Sequence, residues 1–237
     1  MSSRQVLYLL VYCNDMKEQI AIIAGGTGFI GKVIAGALKR SGWKVVTLSR
    51  RGGGESDLKC DITDENAARE VIRSIADTYG TIDACIHSAA VKIDSKDTSG
   101  MQTSVALLGA KNLAAAALPH MAEGSAFIAI TTKLIEPGIK TMPTGDYLSA
   151  KSALRGYLRE LARSAGNIRV YAVAPGFIAG GLNEGIPVAF LEMFAKKTGA
   201  GMTTAEAVAD IVKKICIDVA AYKPSSSIAI PGEVTAL

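Results

Sequence analysis

The sequence predicts an α/β fold, a doubly wound parallel sheet in a single domain. Short apolar runs alternate with amphipathic stretches from residue 19 to the end, the pattern that parallel strands joined by crossover helices require. The first run, Ile20 to Ala24, stops at a glycine cluster and then turns amphipathic, which reads as a buried strand, a tight turn and the first turn of a helix. A length of 237 residues, 49% hydrophobic and 20% charged, suits one domain large enough to bury a sheet on both faces, and a second domain is not required.

Taken in order, Gly26, Gly28 and Gly31 stand at G-x-G-x-x-G spacing in that strand–turn–helix context. The turn lets backbone amides approach a pyrophosphate while helix and strand pack closely. Gly25 to Gly31, including Thr27, Phe29 and Ile30, is therefore read as a dinucleotide phosphate loop at a helix N-terminus, and the fold as of Rossmann type. A tight turn with no ligand is the plainer alternative. The apolar stripe Ile30, Val33, Ile34, Ala37 and Leu38 carries the helix to about Ser41-Gly42. Lys44 to Leu48 is the second strand, ending in Ser49-Arg50-Arg51. An acid at that strand end serves the ribose 2′-hydroxyl of NAD, whereas an arginine accommodates the 2′-phosphate of NADP. NADP(H) is thus favoured over NAD(H), with Ser49, Arg50 and Arg51 as phosphate contacts; an exposed basic loop beside Gly52-Gly53-Gly54 is the alternative.

A short strand around Leu58 leads through Asp61 into a helix that Thr63 or Asp64 caps and that runs to about Tyr79. Asp61 falls at the strand's carboxyl end, either as an adenine contact or as a turn residue. The strand Ala84 to His87 runs into Ser88, Ala89 and Ala90, small enough for a cofactor to pass close to backbone. A helix follows from about Gly100 to Leu118, then a buried strand, Phe127 to Thr132, with hydroxyls at its end. After a loop, a helix opens near Tyr147 and reaches Gly166. Ile168 to Val173 is a sixth strand, closed by Ala174-Pro175-Gly176. The span 180–201, glycine-flanked and apolar in its middle, is either a substrate lid or a surface helix that completes the core. A last helix starts at Thr203-Thr204-Ala205-Glu206, and Ile228 to Ile230 ends the sheet.

Composition narrows the function classes. The net charge of +4 is scattered and aromatics make up 5%, which argues against a nucleic-acid partner. No apolar run reaches the length of a membrane span. Val6 to Cys13 is a poor fit to a signal peptide, so residues 1–18 are read as an N-terminal extension, an added strand or an upstream segment, with Met16 a natural start. Cys13, Cys60, Cys85 and Cys216 form no CxxC pair, which points to reduced thiols and a cytoplasmic protein. His87 and His120 lack metal-ligand spacing, and no metal is expected.

Tyr147 and Lys151 are four apart and share a helix face. A phenol has a reference pKa of about 10, and a neighbouring ammonium stabilises its phenolate. From Lys17 onward the sequence resembles the short-chain dehydrogenase/reductase family. The likeness rests on Gly25 to Gly31, on Cys60-Asp61-Ile62-Thr63-Asp64, on Ile82 to Ala90, on Tyr147-Leu148-Ser149-Ala150-Lys151 and on Ile168 to Ile178. The resemblance implies that Tyr147 donates a proton to a carbonyl, that Lys151 holds the nicotinamide ribose and lowers the Tyr147 pKa, and that Thr132, with Thr131 as fallback, positions the substrate oxygen. Asp61 and Ile62 would meet the adenine, and Pro175, Gly176 and Ile178 would line the nicotinamide end. A homodimer or homotetramer through helices 100–118 and 147–165 is implied, with Arg155 and Arg159 at the contact.

Three departures mark this chain. A threonine replaces the family's usual serine, the span from Thr132 to Tyr147 is two residues longer, and Ala106 falls where an asparagine usually completes the proton relay. Ala106 implies a slower or differently wired enzyme, or loss of catalysis. The expected function is an NADP(H)-dependent oxidoreductase that reduces a ketone or oxidises a secondary alcohol on a small or medium, partly apolar substrate, a 3-oxoacyl thioester among the candidates. A nucleotide-sugar epimerase or dehydratase, whose branch the glycine loop and His87 to Ala90 also resemble, and a non-catalytic dinucleotide sensor or scaffold are the alternatives.

Overall fold

The computed structural model describes residues 18–53, 57–92, 100–140, 142 and 144–237. The expected N-terminal extension up to Lys17, with Cys13 and Met16, and Gly54 of the glycine run lie outside the described residues. In chain order the elements are β1 (Ile20–Ala24), α1 (Phe29–Arg40), β2 (Lys44–Ser49), β3 (Asp57–Lys59), α2 (Glu65–Tyr79) and β4 (Ile82–His87). Next comes α3, built of an α-helical turn Met101–Thr103, a π-helical turn Ser104–Leu108 and an α-helix Gly109–Ala117. Then follow β5 (Met121–Ile130), α4 (Asp146–Ser164), β6 (Arg169–Pro175), β7 (Phe177–Ile178), α5 (Val188–Thr198), β8 (Met202–Thr203), α6 (Ala205–Ile217), β9 (Ser226–Ile230) and β10 (Val234–Ala236).

The main sheet runs β10-β9-β6-β5-β4-β1-β2-β3. Every neighbouring pair is parallel except β9 and β10, so the sheet does not end at Ile230 as expected; an antiparallel strand follows on the edge. β7 and β8 form a separate two-stranded ribbon. Strands of a sheet covered on both sides must be apolar on both sides. Ile20, Ile22, Cys85 and Phe127 face Ile72 of α2, Leu113 of α3 and Leu154 and Leu158 of α4. Their alternates Ile23, Ile86, Ile128 and Tyr171 face Ile34 and Leu38 of α1 and Val208 and Val212 of α6. Each such side chain contributes roughly 1.5–3 kcal/mol of transfer free energy.

The helices start where their caps allow. Asp64 accepts from the amides of Asn66 at 2.9 Å and Ala67 at 3.1 Å, and Thr204 from that of Ala207 at 3.1 Å. Thr63, the other cap candidate, instead donates to Asp61. α3 departs from the regular helix expected over 100–118: the Gly109 amide reaches back to the Ser104 carbonyl, five residues away, and the turn widens. Because β1 pairs with both β2 and β4, the chain leaves it in opposite directions and opens a crevice at the carboxyl ends of the strands. Among the described residues no helix is long and apolar enough to cross a membrane.

Candidate active site

That crevice is a cleft of about 1470 Å³ floored by the carboxyl ends of the strands. At its centre the β1–α1 turn is held by a Gly25 amide bond to the Leu48 carbonyl at 2.8 Å and a Gly28 amide bond to the Gly25 carbonyl at 3.0 Å. Gly25 adopts φ +81° and passes so close to Ala89 that a Cβ would fall 2.6 Å from its backbone. At Gly31 a Cβ would lie 2.2 Å from the Gly25 carbonyl oxygen, so only glycine lets α1 seat on β1. Thr27, Gly28, Phe29, Ile30 and Gly31 line the cleft with Gly25. The first turn of α1 carries no acid and Gly28 offers no side-chain cap, which leaves the helix N-terminus to an anion. Gly26 is the exception among the expected contacts. It is buried behind the loop, where a Cβ would meet Thr47 at 2.3 Å, and it is absent from the lining.

Ser49, Arg50, Arg51, Asp61 and Ile62 line one end of the cleft together with Lys32. The two arginines are exposed. Ser49 donates to the Asp57 carboxylate at 3.2 Å and accepts from the Gly52 amide at 3.0 Å, so its hydroxyl is already committed. Asp57, brought up from β3, also accepts from Thr47 at 3.1 Å and does not line the cleft. Asp61 is both a turn residue and a lining residue. It accepts from the Thr63 amide at 3.0 Å and hydroxyl at 2.7 Å, and these bonds, then Arg50, hold its carboxyl below the usual carboxylate range.

At the other end, Ser88, Ala89 and Ala90 approach from β4 and Pro175, Gly176 and Ile178 from β6 and β7. The first turns of α4 bring Tyr147 and Lys151 between them. The two candidate hydroxyls part company: Thr131 donates to the Val173 carbonyl at 3.3 Å, whereas Thr132 is hydrogen-bonded to the Tyr147 hydroxyl. Lys151 is 5% exposed and donates to the Ile130 carbonyl at 2.7 Å, with its Nζ 5.9 Å from the centre of the Tyr147 ring. The expected lowering of the Tyr147 pKa by Lys151 does not occur in this arrangement. Burial pushes the phenol up to about 12, against the pull of the Thr132 bond, because the ammonium stands over the ring and not at the hydroxyl. Burial likewise pushes Lys151 down to about 8.

The sequence reading gave no role to His87, at the end of β4. Its Nε2 lies 3.2 Å from the Ala106 carbonyl in the π-helical turn, and its Nδ1 has no hydrogen-bond partner. Burial, with Lys151 second, pushes this imidazole down to about 3. A polar ring closing an apolar strand was the available signal. Also missed were Leu134 and Phe177, which with Leu182, Leu191 and Phe194 of the 180–201 span make this end of the cleft apolar.

The segment 180–201 both borders the cleft and packs into the core. Leu191 and Phe194 of α5 line the cleft, Phe194 stacking on Phe177 at 6.5 Å, while Leu191 and Ala195 are buried. Its first residues rest on Phe29: a Cβ on Gly181 would lie 3.0 Å from the Cβ of that residue. Arg155 is engaged within its own chain, 3.4 Å from the Glu136 carboxylate and 3.0 Å from the Ala236 carbonyl, because β10 folds back beside α4. Arg159 is exposed.

Comparison with known proteins agrees with this geometry. A family model described as enoyl-(acyl carrier protein) reductase matches residues 27–230. The oxidoreductase YhdF of Bacillus subtilis is 28% identical over 210 residues, covering 78% of this chain and 71% of that protein. Carbonyl reductase family member 4 of Xenopus tropicalis is 28% identical over 181 residues, covering 68% and 75% respectively. Among solved structures, a short-chain dehydrogenase/reductase from Serratia marcescens superposes with a TM-score of 0.77 at 21% identity, over 90% of this chain and 96% of that one.

Proposed function

The chain belongs to the short-chain dehydrogenase/reductase family, whose members use a nicotinamide dinucleotide, and from that premise we propose an NADP(H)-dependent enzyme that reduces a ketone or oxidises the matching alcohol. The observation that carries the reading is the Tyr147 hydroxyl bonded to Thr132 at the apolar end of the cleft, one helical turn from buried Lys151. The glycine cradle and the basic end of the cleft fit such a cofactor. Bound there, it supplies or accepts the hydride.

The residues of the chain do the rest. Thr132 and Tyr147 hold the substrate oxygen. Tyr147, kept protonated by burial, gives its phenolic proton to that oxygen as the carbonyl carbon gains hydride, with the Lys151 ammonium over its ring. Leu191, Phe194 and Phe177 exclude water and favour a small or medium, partly apolar substrate, a 3-oxoacyl thioester being one. Arg50 and Arg51, with Lys32, support a 2′-phosphate, and Asp57 beside the end of β2 is held by Thr47 and Ser49 away from the cleft. The same reading places the protein in the cytoplasm as a homodimer or homotetramer. Its thiols Cys60, Cys85 and Cys216 are free and buried.

Titration with NADPH and NADH, followed by a ketone and alcohol panel, tests it. Tighter NADPH binding, weakened by Arg50→Glu, and consumption of NADPH are expected. Tight NADH with weak NADPH binding overturns the cofactor assignment. NADPH binding without turnover across the panel favours the sensor reading that Ala106 suggests.

A further inference from the structure

His87 is the last residue of β4, 1% exposed, with Cys85 and Ile86 before it fully buried. A ring nitrogen that faces a carbonyl must carry the proton, so the bond to Ala106 makes Nε2 the donor and leaves a lone pair on Nδ1. That Nδ1 is buried and without a partner. An acceptor left so in the interior is destabilising until something donates to it.

The charge that acts on this ring is that of Lys151. Register explains why: His87 pairs with Ala129 across β4 and β5, and Lys151 bonds the carbonyl of the next residue, Ile130. An ammonium with three hydrogens, one of them placed on Ile130, therefore stands at the end of the strand beside an acceptor with none, and a single buried water would join them. Ala106 meets the ring with its backbone carbonyl, and the Val105 backbone of the same turn also acts on it.

We propose that His87 is a positioning residue for Lys151: its Nδ1 accepts a hydrogen bond from a buried water held by the ammonium, which fixes the lysine beneath Tyr147 and favours its charged form. The proposal rests on the reading of Tyr147 and Lys151 as the reacting pair. Around Lys151, α4 contributes Tyr147, β5 the Ile130 carbonyl and the Thr132 hydroxyl, β4 His87 and α3 the carbonyl that holds His87. Among the described residues no carboxylate shifts either group. Hydrogen bonding to the ammonium opposes the effect of burial, so loss of Nδ1 lets burial depress Lys151 further.

The chain has two histidines, His87 and His120, which makes imidazole nitrogen spectra of the labelled whole protein readable. In the wild type the buried ring is expected to show a protonated Nε2 and a hydrogen-bonded, unprotonated Nδ1, and Lys151→Met to move the Nδ1 resonance toward the free value. A protonated Nδ1, or an Nδ1 resonance identical in Lys151→Met, overturns the proposal whatever the activity. His87→Gln keeps a donor for Ala106 but carries its acceptor at the end of the side chain and away from the Nδ1 position, whereas His87→Asn keeps an acceptor where Nδ1 stood. His87→Gln is expected to lower kcat about tenfold with little change in KM. The same variant should move the basic limb of the rate profile down by about one pH unit, and His87→Asn should restore both. Wild-type kcat and limb in His87→Gln refute the role. If the wild type turns over no substrate, the reductase reading fails, and the nitrogen spectra still decide whether His87 and Lys151 are joined.

Discussion

Lys151 sets its ammonium 5.9 Å from the centre of the Tyr147 ring, yet donates its hydrogen bond to the Ile130 carbonyl. Tyr147 is tied separately, through its hydroxyl, to Thr132. Two residues of one helical turn thus reach the cleft from different anchors on β5 and the residues just beyond it. The end of that strand, and not the helix alone, sets the distance between phenol and ammonium.

Tyr147→Phe keeps the ring and removes the proton. A fall in kcat of about 10²–10⁴-fold is expected, with NADPH binding little changed. Steady-state rates and a fluorescence titration check the two halves, and wild-type turnover in the variant removes Tyr147 as the acid.

The reduction rate should fall on the basic side of pH about 8, where buried Lys151 loses its proton. The sign follows from the role proposed for Lys151, which holds the nicotinamide ribose as an ammonium, so activity is present below that pH and lost above it. In Lys151→Arg the guanidinium stays charged and the limb should move upward. A pH profile of kcat for both proteins is the measurement.

Gly31→Ala places a Cβ 2.2 Å from the Gly25 carbonyl oxygen. Either α1 lifts from β1 or the loop shifts, at about 1–3 kcal/mol, and cofactor affinity should fall with it. Gly42→Ala is the control: φ is +85° there but nothing lies within 4 Å of the added Cβ, so stability alone should drop, by about 1 kcal/mol. Urea unfolding and NADPH titration separate the two outcomes.

Glu136, 6% exposed, holds the C-terminal edge of the sheet. It accepts from Ser227 of β9 at 2.6 Å and Thr235 of β10 at 3.2 Å, and pairs with Arg155 of α4. Glu136→Gln should cost about 1–3 kcal/mol by weakening these bonds, and hydrogen exchange in β10 should quicken. Unchanged exchange there would show that β10 is held without it.

Much of this molecule was legible along the chain. Ile20 to Ala24 and Phe127 to Ile130 announce themselves because a strand buried on both faces has no position for a polar side chain. Gly25 and Gly31 do so because no other residue tolerates the approach of Ala89 and of the turn's own carbonyl. Tyr147 and Lys151 share a helix face by the period of the helix itself. The choice of Thr132 over Thr131 came from the family resemblance and not from local pattern, since neighbours at a strand end point to opposite sides and only the placement of α4 says which side Tyr147 occupies.

The order of strands and helices, the phosphate turn and the pairing of phenol with ammonium were therefore determined by the sequence alone, since each depends on spacings of a few residues. Tertiary structure decided the rest: that β10 turns back antiparallel, that Asp57 closes on Ser49, that Arg155 spends its charge on Glu136, and that His87 stands between Ala106 and Lys151. These partners lie 6 to 64 residues apart along the chain, and strand register and helix packing bring them together, which no local periodicity records.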